Sequence, residues 1–348
     1  LVTALNPPYD ALLVIGFGGP EKMADVLPFL ENVLRGKNVP RQRMLEVAAH
    51  YTHFEGKSPL NDQMRDLIAK LRVELVAHSI DLPIYWGNRN WHPLLTDTLR
   101  EMACQGIKRS LAYVASAFSS YSGCQQYLQD IERARQAVGE TAPRVDKLRV
   151  FYNHPRFIAA NSARLCEALE SLPSARRQSA HVAFTAHSIP AAMAANCQYA
   201  AQLADACRQT ARAANISQAR WQLAYQSRSG RREDPWLGPD IADHLRDLRA
   251  RGTSDVIVMP IGFLSDHMEV LYDLDCEARH VADELGLSMI RASTVGTHPQ
   301  FVSMVRELVE ERLSGDSRRA ASGAFPAWPD VCPADCCPIT PAPSSRSV

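Results

Sequence analysis

The chain carries no excess charge of either sign: Lys plus Arg number 38 and Asp plus Glu number 38, so the formal net charge is zero. A polyanion-binding face is not indicated, and nucleic acid is set aside as a partner. No apolar run approaches the roughly 20 residues that span a bilayer, so no transmembrane segment is expected. Leu1 to Asp10 lacks the basic and apolar regions of a signal peptide, and its two prolines read as a frayed lead-in. These absences predict a cytoplasmic protein. Several motifs also fail. Gly16-Phe17-Gly18-Gly19-Pro20 lacks the third glycine of a dinucleotide fingerprint. Gly56-Lys57-Ser58 resembles the end of a P-loop, but Tyr51 stands where the first glycine belongs. No nucleotide cofactor is therefore expected. His267-Met268-Glu269 lacks the following P-C-x-x-C of a zinc deaminase, and no G-x-S-x-G elbow supplies an acyl-transfer nucleophile.

What remains is an alternation of short apolar runs and amphipathic stretches. Ala11–Ile15, Pro83–Gly87, Ser110–Ala117, His181–Ala186, Trp221–Gln226, Asp255–Pro260 and Leu287–Ala292 read as strands. Between them, Glu21–Leu34, Pro59–Val76, Leu94–Met102, Cys124–Ala137, Phe157–Leu172, Asn196–Ala214, Asp240–Arg251, Leu271–Leu285 and Pro299–Leu313 read as helices. The rhythm predicts an α/β protein of two Rossmann-like domains, each a parallel sheet flanked by helices, with a cleft between them. The 348 residues suit two such domains. They are expected at 9–145 and 146–313, followed by a cysteine-bearing tail, 314–348, whose Ser, Ala and Pro content resembles a disordered segment.

Three strand ends of the second half carry unusual polar density. His187 ends one strand, Tyr225-Gln226-Ser227-Arg228 ends a second, and Asp266-His267-Met268-Glu269 follows a third. Parallel strands deliver their carboxyl ends to one edge of the sheet, facing the cleft. A histidine and a carboxylate meeting there suit a divalent cation or a proton relay. Taken alone, each has a blander reading: a satisfied histidine at a strand end, and a helix-start carboxylate favourable to the macrodipole.

Read together, Phe184-Thr185-Ala186-His187-Ser188-Ile189-Pro190, Tyr225 through Pro239 and Pro260 through Asp275 resemble ferrochelatase. The first half agrees, through Gly18-Gly19-Pro20, Ser58-Pro59-Leu60 and Asn88-Arg89-Asn90-Trp91-His92-Pro93. Trp86 through Trp91, Tyr121 through Tyr127 and Asp266 through Val270 are most similar to the actinobacterial enzymes that use coproporphyrin III. The resemblance implies a chelatase fold and a lyase of haem biosynthesis that inserts Fe²⁺ into coproporphyrin III. Protoporphyrin IX is the alternative substrate, and a non-catalytic tetrapyrrole carrier or iron sensor the remote one. It implies His187 and Glu269 as catalytic residues and ligands of the substrate Fe²⁺. A neutral imidazole would accept a pyrrole proton, and the carboxylate would steer the cation. It implies porphyrin contacts at Phe17, Ser58, Tyr127, Trp91 and Arg35, with His50 a weaker candidate. Phe17 stands where some relatives carry a tyrosine that ligates the product iron.

Of nine cysteines, three crowd into the tail as Cys332-Pro333-Ala334-Asp335-Cys336-Cys337. Such spacing suggests metal ligation in a reducing compartment. A structural zinc or an unligated tail is the competing reading. Some ferrochelatases hold a [2Fe–2S] cluster with three C-terminal cysteines and one from the body. The resemblance extends to this tail and puts the fourth ligand at Cys166, with Cys124 as the second choice. The expected partners are the porphyrin and the neighbouring enzymes of the haem pathway, and the chain is taken as a monomer.

Overall fold

The computed structural model describes residues 8–36, 39–229, 233–315, 318–333 and 335–338. Most of the lead-in and the end of the tail lie outside these residues. So does Gly230, in the expected segment after Tyr225.

Two four-stranded parallel sheets organise the molecule. The first holds β1 (Ala11–Gly16), β2 (Ile84–Asn88), β3 (Arg109–Val114) and β4 (Arg144–Lys147) in the order β2-β1-β3-β4. The second holds β5 (His181–His187), β6 (Trp221–Gln226), β7 (Asp255–Met259) and β8 (Ser288–Arg291) in the matching order β6-β5-β7-β8. In each sheet the first strand in sequence is central and buried along its length (β5 opens only at its two end histidines), as expected where helices cover both faces. The connecting helices are α1 (Met23–Leu34), α2 (Arg41–Thr52), α3 (Leu60–Ala77), α4 (Leu95–Cys104) and α5 (Gln126–Val138), then α6 (Pro155–Glu170), α7 (Tyr199–Ala213), α8 (Ile241–Ala250), α9 (Arg279–Glu284) and α10 (Pro299–Leu313).

Seven strands fall where apolar runs predict them; β4 does not. Arg144-Val145-Asp146-Lys147 contains one apolar residue. The strand forms at the sheet edge because Asp146 accepts hydrogen bonds from Arg109 and Tyr9, which fix it beside β3. The predicted helix from Leu271 also differs. Its first part, Leu271–Ala278, is a π-helix that follows a single turn at Met268–Val270, and π-helical segments recur at functional sites.

The halves share apolar packing. Met64, Leu67, Leu71 and Leu75 of α3 lie in one buried cluster with Phe157 and Leu165 of α6 and Phe301, Val305 and Leu308 of α10. Helix α10 therefore leaves the second sheet and returns to the first half, where Arg306 pairs with Glu74 at 3.0 Å.

Part of the tail overturns the expectation of disorder. Arg149, almost wholly buried, holds Glu311 in a two-point pair at 2.8 and 2.9 Å and also donates to the Ala320 carbonyl. Asn153 donates to the Phe325 and Pro326 carbonyls, and Ala324 N–H reaches Asp205. Trp328 packs on the shared core. A segment with low apolar content is here ordered by backbone hydrogen bonds to buried side chains, which composition does not register.

Candidate active site

The second sheet supplies the titratable groups. His187 is the last residue of β5, opposite Gln226 of β6. Its Nδ1–H donates to the Ser188 carbonyl, which leaves Nε2 to face Glu269, 3.5 Å from Oε1. The strand end is pinned from behind: Tyr199 OH donates to the His187 carbonyl at 3.0 Å, and Ser188 Oγ donates to the Leu237 carbonyl at 2.7 Å. Glu269 is held by its backbone. Its N–H donates to His267 Nδ1 at 3.2 Å, and its carbonyl accepts from the Gln226 amide. Gly262, between β7 and this segment, has no room for a side chain. A Cβ there would lie 2.5 Å from that of Ala186.

Electrostatics couple the pair. Burial alone would push the His187 imidazole down, but the Glu269 carboxylate overrides it by charge and hydrogen bonding, and the imidazole rises to about 9. In the free site the Glu269 carboxylate therefore favours the protonated imidazole at neutral pH. One turn on, burial lifts the Asp273 carboxyl to about 7 with the Glu269 charge adding to it, although Ser227 Oγ donates to Asp273. The signal for Asp273 in the sequence was its place four residues after Glu269; the π-helix makes that spacing local. His187 and Glu269 offer two ligands to a cation. Among the described residues no group of three His, Cys, Asp or Glu side chains is spaced to hold a metal ion. The arrangement suits a cation in transit.

The first half supplies a wall. Phe17 is 38% exposed, its ring edge-on to Phe29, which is edge-on to Trp91. Behind Phe17 the loop turns at Gly18, where φ is +84° and a Cβ would lie 2.9 Å from Trp91 N. Buried Asn61 donates to the Gly19 and His92 carbonyls, and Asn88 donates to the His92 carbonyl, so one amide network fixes both loops. Tyr51 and Met268 meet in the same apolar cluster, which brings α2 of the first half against the segment bearing Glu269. Further out, His50 stacks on Tyr272 with ring centroids 3.8 Å apart. Gln63 clamps the segment with a reciprocal pair, donating to the Asp266 carbonyl at 3.1 Å and accepting from its N–H at 2.9 Å. No sequence motif pointed to Gln63.

Three further expected contacts lie in the first half. Ser58 is 3% exposed and packs against Gly19. Tyr127 is 5% exposed, with the Arg89 guanidinium 4.5 Å from its ring centroid. Arg35 is exposed at the end of α1 and hydrogen-bonds Asn32.

In the tail, the Cys336 and Cys337 Sγ atoms are 3.7 Å apart, and Cys332 hydrogen-bonds Cys336. Their electrostatic neighbours in the body are Cys124 and, for Cys337, Cys197 as well. Cys166 instead faces Ser162, Glu167 and Glu170.

With this geometry, the chain can be compared with known proteins. Its fold is similar to that of SirB from Bacillus subtilis with Fe³⁺, at a TM-score of 0.51 and 12% identity, covering 88% of this chain and 96% of that one. In sequence it is 53% identical to the ferrochelatase of Rhodopirellula baltica, covering 96% of this chain and 95% of that protein. It is 50% identical to the coproporphyrin III ferrochelatase of Nocardia farcinica, over 92% of each chain. It is 47% identical to that of Streptomyces coelicolor, over 97% and 96%. The family model for ferrochelatase matches residues 9–313, and the chain belongs to the ferrochelatase family.

Proposed function

We propose that this chain inserts Fe²⁺ into coproporphyrin III, with His187 and Glu269 as the catalytic pair. The observation that carries the reading is the 3.5 Å approach of His187 Nε2 to Glu269 Oε1, on a strand-end face with Tyr51 packed opposite. Coproporphyrin is the substrate named for the Nocardia and Streptomyces relatives, which match along almost the whole chain.

The steps follow from charge. The free pair is imidazolium and carboxylate. Fe²⁺ arriving at Glu269 draws off the negative charge that holds the proton on His187. The imidazole then releases its Nε2 proton to solvent water and stands as a base toward the pyrrole N–H groups. As the metal enters the ring two protons leave, one to His187 Nε2 and one to the Asp273 carboxylate, which sits near neutrality. Phe17 and Trp91 press on the macrocycle so that binding energy goes into bending it. Arg35 is the propionate contact. Phe17 carries no donor atom and gives the product iron no axial ligand.

For the tail we infer a [2Fe–2S] site on Cys332, Cys336, Cys337 and one body cysteine, Cys166 or Cys124; the crowding of the tail thiols supports it, with Cys336 and Cys337 3.7 Å apart, and as placed among the described residues the set is not yet spaced to hold a metal ion. When bound, the cluster supplies a covalent tie between tail and body and a one-electron couple. A reducing compartment, the cytoplasm, would keep the tail thiols available as ligands. Among the described residues no helix is long and apolar enough to cross a membrane.

The test is anaerobic Fe²⁺ insertion with coproporphyrin III and protoporphyrin IX side by side, with iron and sulfide analysis of the resting protein. A higher kcat/KM on coproporphyrin supports the reading. Turnover of protoporphyrin alone contradicts the substrate, and a resting protein without iron and sulfide contradicts the cluster.

A further inference from the structure

A strand in a parallel sheet turns its backbone groups alternately to its two neighbours. On the edge of β5 that faces β7 the ladder stops at Phe184. The Thr185 carbonyl still accepts from the Gly262 N–H at 3.0 Å. The His187 carbonyl is the next on that edge and lies past the end of β7; it takes the Tyr199 hydroxyl instead, at 3.0 Å. Tyr199 opens α7 and is 8% exposed. Helical residues three apart share a face, and three residues on, buried Gln202 accepts from the Ser119 N–H at 2.8 Å. Ser119 lies in the first half, in the loop after β3, and its neighbour Phe118 sets its ring edge-on to Tyr199. That loop leads through Tyr121–Gln125 into α5 and Tyr127. One helix face therefore touches both the first-half loop and the strand end that bears His187.

We propose that Tyr199 is a positioning residue for His187, and that Gln202 ties it to the first half, so that α7 relays the placement of the loop after β3 to the catalytic strand end. The proposal rests on the reading of His187 as the proton acceptor and deepens it. The lever is short. His187 Nδ1–H donates to the Ser188 carbonyl, so a turn of the peptide between the two residues swings Nε2 relative to Glu269, 3.5 Å away. The Tyr199 hydroxyl holds the oxygen of that peptide. Its N–H donates to the Gln226 carbonyl, so the peptide is fixed at both ends. Gln202 is not there for packing alone. Its Nε2 is buried without a hydrogen-bond partner among the described residues. An orphaned donor costs stability, and a leucine at that site would not carry the cost. The bond that Gln202 Oε1 does make crosses between the halves.

The full-length protein is compared with its Tyr199→Phe, Gln202→Met, doubly substituted and His187→Ala variants. Single-turnover Fe²⁺ insertion into coproporphyrin III is measured anaerobically, with porphyrin affinity read by fluorescence quenching on the same samples. Tyr199→Phe removes one oxygen atom and should slow insertion about tenfold, with affinity within about twofold of the parent. Gln202→Met should slow it about threefold. The double variant should be no slower than Tyr199→Phe, because without the hydroxyl the helix no longer reaches His187. Insertion by Tyr199→Phe at the parental rate would overturn the proposal, and so would a loss of rate matched by an equal loss of affinity, the mark of a purely structural role. Effects that multiply in the double variant would overturn the link through Gln202. Where Gln202→Met fails to fold, Tyr199→Phe decides by itself. His187→Ala separates the two levels. Parental insertion by that variant sinks the reading of His187 itself, whereas slow insertion there beside a parental Tyr199→Phe sinks only the positioning role.

Discussion

The two sheets of this protein have the same strand order and put different chemistry at their carboxyl ends. In the first, β1 and β2 end in Gly16-Phe17-Gly18 and Asn88-Arg89-Asn90, fixed by backbone contacts and the Asn61–Asn88 amides. Arg89 is paired with Asp130 and held over Tyr127. In the second, β5 and β6 end in His187 and Gln226, and the segment after β7 carries Glu269 and Asp273. One half holds a shaped apolar wall and the other holds protons and charge. The repeat supplies a scaffold twice; the loops and the π-helix at Leu271–Ala278 divide the labour. Gln63 and the His50–Tyr272 stack tie the two halves at the cleft.

That division can be broken from either side. Removing the charge from the second half should have the largest effect. Glu269→Gln is expected to lower kcat for Fe²⁺ insertion about 10²- to 10³-fold, with porphyrin affinity near that of the parent, as read by fluorescence quenching. Acid should also loosen this half. His154, at the start of α6, is 0% exposed, and burial, with Arg149 adding, pushes its imidazole down to about 4. The unfolded chain binds that proton more readily, with an ordinary value of 6.5. Stability from this residue is therefore complete above pH 6.5 and is lost as pH falls toward 4. The loss is about 3 kcal/mol in all. His181, at the start of β5, is pushed the same way by burial. Urea midpoints at pH 7 and pH 5 measure the fall, and His154→Gln should flatten it.

The tie between the halves is the next lever. Gln63→Leu removes both hydrogen bonds to Asp266 and should lower kcat about tenfold by displacing Glu269. Thermal unfolding should move little, since the residue sits at the rim of the core. The smallest effect belongs to the wall. Phe17→Ala should lower kcat for porphyrin about fivefold with KM nearly kept, because it removes contact spent on bending the ring and no charge. A fall in kcat as large as that of Glu269→Gln would show that the wall takes part in the chemistry.

Most of this arrangement was legible in the sequence, for a physical reason. Central strands such as Ala11–Gly16 and Asp255–Met259 are buried on both faces and so read as continuous apolar runs. His187 and Glu269 stood at strand ends, where parallel sheets present their side chains. The failures lie where burial is not the organising force. The edge strand β4 is held by Asp146, Arg109 and Tyr9, and polar contacts between distant residues leave no local pattern. The π-helix keeps the periodicity of an ordinary helix closely enough to pass for one. The tail was misjudged because its order comes from Arg149 and Asn153, over a hundred residues upstream. The coupling of His187 to a carboxylate 3.5 Å away is likewise something only the fold brings about.

The most direct test of the division between the halves is one sample of His187→Ala. Coproporphyrin binding and single-turnover Fe²⁺ insertion are measured on it together, anaerobically. The account predicts binding within about twofold of the parent and insertion slower by at least about a hundredfold. Parallel loss of binding and insertion, or insertion at the parental rate, would contradict it.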